Sequence, residues 1–332
     1  MRLLDVKNLR TTFRIDTGLV QAVRGVSLHV DKGESLGIVG ESGSGKSVSM
    51  LSILRLLPDN ARVEADSIRF RGEELTVRSD RYLHSLQGSA IGMVFQDPMT
   101  SLNPVTRVGH QVMEPILLHT RASRAEARRE ALRLLELVEI SDPAGRFRQY
   151  PHEFSGGMRQ RALIAMAIAC GPELLIADEP TTALDVTIQA QILELMAHLK
   201  ERLGTSIILI THNLGVVAST CSRVVVMYAG EVAEEGTTRE VFHGAAHPYT
   251  WGLLRSVPDT APGPKKRLVP IPGSPPDLIA PPPGCPFAPR CAHAMKVCAR
   301  LRPEPVQLSP THQVACWLTH PLCPGERREA RP

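Results

Sequence analysis

Gly40-Glu41-Ser42-Gly43-Ser44-Gly45-Lys46-Ser47 follows directly on the apolar run Ser35-Leu36-Gly37-Ile38-Val39. It opens a segment in which Met50, Ile53, Leu54 and Leu57 fall at helical spacing until Pro58 stops the run. The layout is strand, glycine loop, helix, and the loop fits the spacing G-x-x-x-x-G-K-[ST] in the context where that spacing carries a mechanism. Gly40, Gly43 and Gly45 let consecutive backbone N–H groups turn inward around phosphate oxygens, and the helix N-terminus behind them favours negative charge. Lys46 is placed to reach the β- and γ-phosphates of a nucleotide, and Ser47 to supply an oxygen to Mg²⁺.

A complement lies downstream. Leu174-Leu175-Ile176-Ala177 reads as a buried strand that delivers Asp178 and Glu179 to its C-terminal end, where open α/β sheets bind ligands. Asp178 suits Mg²⁺, directly or through water. Glu179, not consumed by the metal, suits orienting and deprotonating an attacking water. Phe154-Ser155-Gly156-Gly157-Met158-Arg159-Gln160 offers a hydroxyl, bare backbone N–H groups and a helix start to an anion. Since the sequence holds a single phosphate loop, Ser155, Gly156 and Gly157 are expected to serve a nucleotide bound by another cassette.

Residues 3–39 read as β-rich, with turn signals at Asp16-Thr17-Gly18 and Asp31-Lys32-Gly33. Helices are expected over Arg124–Val138, Met158–Cys170 and Ile188–Arg202, and buried strands over Leu174–Ala177 and Ser206–Ile210. The alternation predicts a mainly parallel, doubly covered α/β sheet. Hydrophobic residues at 43% and charged residues at 22% of 332 suit a globular protein, and a net charge of +4 is too small and too evenly spread to indicate a nucleic-acid or lipid partner. No apolar run approaches the roughly 18–20 residues that cross a bilayer. Met1–Leu9 lacks the layout of a secretion signal, so the cytoplasm is the expected compartment.

Beyond Ser256 the composition shifts, with Pro258, Pro262, Pro264, Pro270, Pro272, Pro275, Pro276 and Pro281–Pro283 marking a stiff linker. The expected division is therefore a nucleotide-binding domain over 1–256 and a linker with a small Cys-rich appendix over 257–332. Cys285-x5-Cys291-x6-Cys298-x17-Cys316 brings four thiols into one short tail, with Cys323 as a spare. Such a set holds a [4Fe–4S] cluster or a tetrahedral zinc, or stays as free or disulfide-bonded thiols, and the spacing alone does not choose among them.

Over about residues 3–245 the order of these motifs resembles the nucleotide-binding subunit of ABC transporters. The resemblance implies a P-loop NTPase cassette with a mainly parallel core, an antiparallel β subdomain and a helical subdomain over about 98–170, binding ATP and Mg²⁺. Gln96 in Val94-Phe95-Gln96-Asp97-Pro98 resembles the Q-loop glutamine, which contacts metal and links the site to the membrane subunits. Ala183-Leu184-Asp185 resembles the D-loop, His212 in Ile210-Thr211-His212-Asn213 the switch histidine at the γ-phosphate, and Phe13 the aromatic on which adenine stacks. The implied catalytic set is Lys46, Gln96, Glu179 and His212, with Ser47, Gln96 and Asp178 at Mg²⁺. The implied nucleotide set is Phe13, Gly40, Ser42, Gly43, Gly45, Lys46, Ser47, Val48, Ser155, Gly156, Gly157 and Asp185. There are two departures from the family pattern: the signature reads Phe154-Ser155-Gly156-Gly157-Met158 where the common form is Leu-Ser-Gly-Gly-Gln, and Val48 lacks the hydroxyl that many members carry there. Neither removes metal or base.

Gln96 to Pro104, His247-Pro248-Tyr249-Thr250 and Pro283 to Cys291 are similar to the branch of dipeptide, oligopeptide and nickel importers, and Glu41 to Val48 to the D-type of its two ATPases. That branch implies ATP hydrolysis energising peptide import, a heterodimeric partner ATPase, two integral membrane permease subunits and an extracytoplasmic substrate-binding protein. It also implies a peripheral place on the cytoplasmic face of the membrane, no nucleic acid, and an iron–sulfur cluster in the tail. Import of nickel or another small solute, export, and a soluble ABC ATPase acting on nucleic acid or ribosomes stand as alternatives.

Overall fold

The computed structural model describes residues 1–182, 184–256, 270–321 and 323. In chain order the elements are β1 (Arg2–Ile15), β2 (Gly18–Asp31), β3 (Ser35–Val39), α1 (Lys46–Ile53), β4 (Ala61–Glu64), β5 (Ser67–Phe70), β6 (Glu73–Glu74), α2 (Asp80–Leu86), β7 (Ile91–Val94), α3 (Pro98–Ser101), α4 (Val108–His119), α5 (Arg124–Leu137), α6 (Pro143–Arg146) and α7 (Gly156–Ala167). They continue as β8 (Leu174–Asp178), α8 (Val186–Leu203), β9 (Ser206–Ile210), α9 (Leu214–Thr220), β10 (Arg223–Tyr228), β11 (Glu231–Thr237), α10 (Thr238–Gly244), α11 (Pro248–Arg255), β12 (Val306–Gln307) and β13 (Gln313–Val314). No helix among the described residues is long and apolar enough to cross a membrane. The chain divides into two compact units, one of Met1–Leu3, Val30–Ser35 and Val77–Ile210, the other of Leu4–His29, Leu36–Thr76 and Thr211 onward.

In the first unit β7, β8 and β9 pair in parallel, with Ile91 opposite Leu174 and Leu174 opposite Ser206. Every residue of β8 and β9 is buried, which is why both read as unbroken apolar runs rather than alternating ones. Helix α5 begins with a reciprocal capping box between Ser123 and Glu126 and buries Ala127, Ala131, Leu134 and Leu135. Helix α7 starts at Gly156 because Ser155 caps it, its side chain accepting the Met158 N–H, so the two glycines form the first turn. Helix α8 runs from the Asp185 cap to Gly204, where φ of 66° ends it. Helix α4 carries Pro115 inside it and has no counterpart among the sequence expectations.

In the second unit β1 lies between β2 and β5, with β6 beyond β5 and β4 also pairing with β1. Strands β4 and β5 run antiparallel to β1, setting Phe13 opposite Ala61 and Leu4 opposite Phe70. Strand β3 is parallel to β10, β11 is antiparallel to β10, and β13 and then β12 extend the same sheet. The tail thus adds two short strands at the edge of the cassette sheet. Helix α1 ends at Ile53, one turn before the expected stop at Pro58. Arg55 takes the left-handed conformation, φ 51°, while its N–H donates to Ser52 O at 3.1 Å and the Leu56 N–H to Leu51 O at 2.9 Å. This is a Schellman closure without glycine, held by the Arg55 guanidinium on the carbonyls of Leu75 and Thr76. Of the prolines that mark the linker, Pro258, Pro262 and Pro264 lie outside the described residues. Pro270, Pro272, Pro275, Pro276 and Pro281–Pro283 lie outside any helix or strand.

Candidate functional site: a phosphate loop and a carboxylate-bearing strand

The phosphate loop belongs to the second unit. Gly40 and Gly45 are demanded by close approach: a Cβ on Gly40 would run into the Met227 carbonyl, and one on Gly45 would stand 2.6 Å from Ala22 O. Both also hold positive φ, 152° and 96°. Lys46 is 5% exposed, and its ammonium donates to Gly40 O at 2.8 Å, Glu41 O at 2.9 Å and Ser44 Oγ at 3.3 Å. The Gly230 N–H braces the loop from the strand side by donating to Ser44 O at 3.0 Å. Ser42 and Gly43 are exposed, while Ser47 and Val48 are half-buried. In the same unit Phe13 is half-buried on β1, and His212 is exposed just after β9, next to Asn213, whose side chain caps α9.

The first unit carries Asp178 and Glu179. Asp178 closes β8 and is 4% exposed, whereas Glu179 has left the strand and holds φ of 45°. A non-glycine residue there costs on the order of 1 kcal/mol, a strain that clusters at functional sites. The Glu179 N–H is fixed on Ile210 O at 2.9 Å, and its carboxylate accepts from Gln96 Nε2 at 3.2 Å and Thr182 Oγ1 at 2.8 Å. Gln96 and Glu179 are therefore brought together. The sequence reading placed them in one site but gave no role to Thr182, whose only signal was its place three residues after Glu179. Ser155 and Gly156 are exposed at the start of α7, and a Cβ on Gly157 would stand 2.8 Å from Ile188 Cγ2. Asp185 is exposed and caps α8, accepting the Ile188 N–H at 2.9 Å; Ala183, which precedes it in the D-loop-like segment, lies outside the described residues.

In the tail, Cys285, Cys298 and Cys316 are buried and Cys291 half-buried. The Cys285 N–H donates to Cys298 O at 2.8 Å, and Gly284 permits this approach, since a Cβ there would stand 2.7 Å from the Ala299 carbonyl carbon. Burial pushes the Cys285 thiol up to about 11 and the Cys316 thiol to about 12. Backbone N–H groups of Phe287 and Leu318 oppose these shifts, and the charges of the neighbouring cysteines add to them: Cys316 feels Cys285, Cys291 and Cys298 together. Among the described residues no three His, Cys, Asp or Glu side chains are set around one point that would hold a single metal ion.

A lysine wrapped by its own glycine loop at a helix start defines a P-loop nucleotide-binding fold. Comparison with known proteins carries this further. Residues 23–182 match the ABC transporter family model, and residues 233–298 match the model described as the oligopeptide/dipeptide transporter C-terminal region. The chain is 53% identical over 324 residues to the oligopeptide transport ATP-binding protein OppD of Bacillus subtilis (strain 168), covering 97% of this chain and 90% of that one. It is 54% identical over 318 residues to the dipeptide transport ATP-binding protein DppD of the same organism, covering 96% and 95%. A solved ATP-binding cassette, dimeric and in a post-hydrolysis state with ADP and Pi, superimposes with a TM-score of 0.64 at 29% identity, covering 71% of this chain and 99% of that one. The chain belongs to the ABC transporter family, among its ATP-binding proteins. It is an ATPase of that family, acting on ATP with Mg²⁺.

Proposed function

We propose that this chain is the ATP-hydrolysing subunit that energises peptide import through a membrane ABC transporter, peripheral on the cytoplasmic face and assembled with permease subunits and a substrate-binding protein. The observation that carries this reading is the match of nearly the whole chain to relatives named as oligopeptide and dipeptide transport ATP-binding proteins, with residues 233–298 matching the transporter C-terminal region. The division of labour that follows is a nucleotide-binding domain over 1–256 and an accessory region over 257–332.

In this reading Lys46 and the loop amides bind the β- and γ-phosphates, and Phe13 takes the adenine. Ser47, Asp178 and Gln96 would hold Mg²⁺, which when bound would neutralise phosphate charge. Glu179 takes the proton of the attacking water, Gln96 and Thr182 orient its carboxylate, and His212 meets the γ-phosphate. The exposed Ser155-Gly156-Gly157 helix start and Asp185 serve the nucleotide of a second, non-identical ATPase. Closure of the pair moves the permeases, provided closure is favoured differently in their two states. Phe95 and Met99, 42% and 63% exposed around Gln96, suit contact with an apolar cytoplasmic helix of a permease.

Cys285, Cys291, Cys298 and Cys316 are the thiols that would hold a [4Fe–4S] cluster. In support, they are mostly buried, Cys316 feels the charges of the other three, and backbone N–H groups meet Cys285 and Cys316. Such a group would tie together a tail with little core of its own. The test is anaerobic purification with bound proteins retained, measuring iron, sulfide and zinc and identifying the companions. Permeases and a second ATPase, with iron and sulfide near four each per chain, are expected. Ribosomes or DNA in their place would overturn the transporter reading, and zinc or no metal would overturn the cluster.

A further inference from the structure

Glu41 is the second residue of the phosphate loop and is held from inside and outside that loop. Its carbonyl accepts from Lys46 Nζ at 2.9 Å and from the Ser44 N–H at 3.2 Å, as the loop itself dictates. Two further partners come from the region after β11. The Tyr249 hydroxyl accepts the Glu41 N–H at 2.8 Å, and Arg290 grips the carboxylate with both terminal nitrogens, Nη1 to Oε2 at 2.6 Å and Nη2 to Oε1 at 2.9 Å.

Arg290 is itself fixed. Its Nε donates to Pro272 O at 2.8 Å, Nη2 also to Ile271 O at 3.3 Å, and Nη1 also to Tyr228 Oη at 3.1 Å. The guanidinium lies 5.7 Å from the Tyr228 ring centroid and 5.9 Å from that of Phe287. Its side chain is 5% exposed, against 27% for Glu41. A planar fork whose every nitrogen is engaged, and which meets a carboxylate bidentately, holds both position and orientation. Tyr249 is fully buried and starts from the His247 cap, whose Nδ1 accepts the Tyr249 N–H at 3.0 Å. The adjacent peptide matters because Gly40 O and Glu41 O are the carbonyls that hold the Lys46 ammonium.

We infer that Arg290 and Tyr249 are positioning residues for ATP binding: from the C-terminal region they set the conformation of the phosphate loop through Glu41. This rests on the reading that the loop binds ATP. It goes beyond that reading in making nucleotide affinity depend on residues more than 200 positions away, one of which precedes Cys291.

The experiment is calorimetric titration of the full chain with ATP and Mg²⁺, together with KM and kcat in the assembled complex. Arg290→Ala and Glu41→Ala are each expected to raise the Kd for ATP about tenfold, or about 1.4 kcal/mol. The double variant should be no worse than either single one, the effect falling on KM more than on kcat. Arg290→Lys, which keeps the charge and loses the fork, should recover only part of the affinity. Should Arg290→Ala fail to fold, Arg290→Lys and Glu41→Gln carry the same test. A lowered melting temperature with wild-type Kd and KM, or additive losses in the double variant, would overturn the inference. Loss of ATP binding by the wild-type chain itself would instead strike the functional reading on which it rests.

Discussion

Two helix starts in this protein carry glycines and backbone N–H groups of the kind that can meet an anion, and they are built differently. At α1 the loop is buried against β10 and β2 residues, its lysine donates to Gly40 O, Glu41 O and Ser44 Oγ, and Glu41 is held from outside the loop by Tyr249 and Arg290. At α7 the Ser155 hydroxyl makes an ordinary cap, and Ser155 and Gly156 stand exposed. The first is completed by its own chain. The second is a surface, which in the proposed reading serves phosphates that another molecule brings. On that reading affinity belongs to the loop and turnover to the pairing.

The most severe test removes the base. Glu179→Gln keeps the shape and the contacts of Gln96 and Thr182 yet cannot accept a proton, so turnover should fall about 10³-fold while ATP still binds and closed pairs accumulate. Single-turnover kinetics and size analysis with ATP would show it, and normal hydrolysis would dismiss Glu179 as the base. Next in size, Ser155→Arg at the exposed helix start should lower ATPase of the assembled complex about 10²-fold while the Kd of the single chain for ATP shifts by less than about twofold. If affinity of the single chain fell as far as turnover, the contrast between the two helix starts would collapse.

A third test concerns the pinned end. Burial lowers the His247 imidazole from 6.5 to about 4, against the raising influence of Glu234. The folded state therefore holds fewer protons than the unfolded state between those values. The contribution is present above pH 6.5 and is lost as pH falls toward 4, by about 3 kcal/mol at most. Urea melts at stepped pH should show that slope. His247→Asn, which can still cap α11 but cannot charge, should flatten it.

Much of this was legible because it is local. β3, β8 and β9 are buried on both faces and announce themselves as apolar runs, and the loop, the paired carboxylates and the capped glycines are contiguous motifs. What stayed hidden is long-range or carried by backbone. Strands β12 and β13 have two residues each, too few for any period to show. Helix α4 contains Pro115, and a proline at that place reads as a breaker. Arg55 ends α1 in a conformation that glycine usually marks, and Glu179 is strained with no residue type to betray it. The Arg290–Glu41 pair joins two ordinary charged residues, and only the fold brings them together.

That pair also bears on how the protein is made. Its members are 249 residues apart, so at roughly 5–20 residues per second the ribosome needs about 10–50 s after Glu41 to deliver Arg290. A nascent chain can form β1 to α1 in that interval, but on the inference above it cannot finish setting its phosphate loop. The newborn subunit would then acquire its full grip on nucleotide only after the tail that joins β11 has emerged.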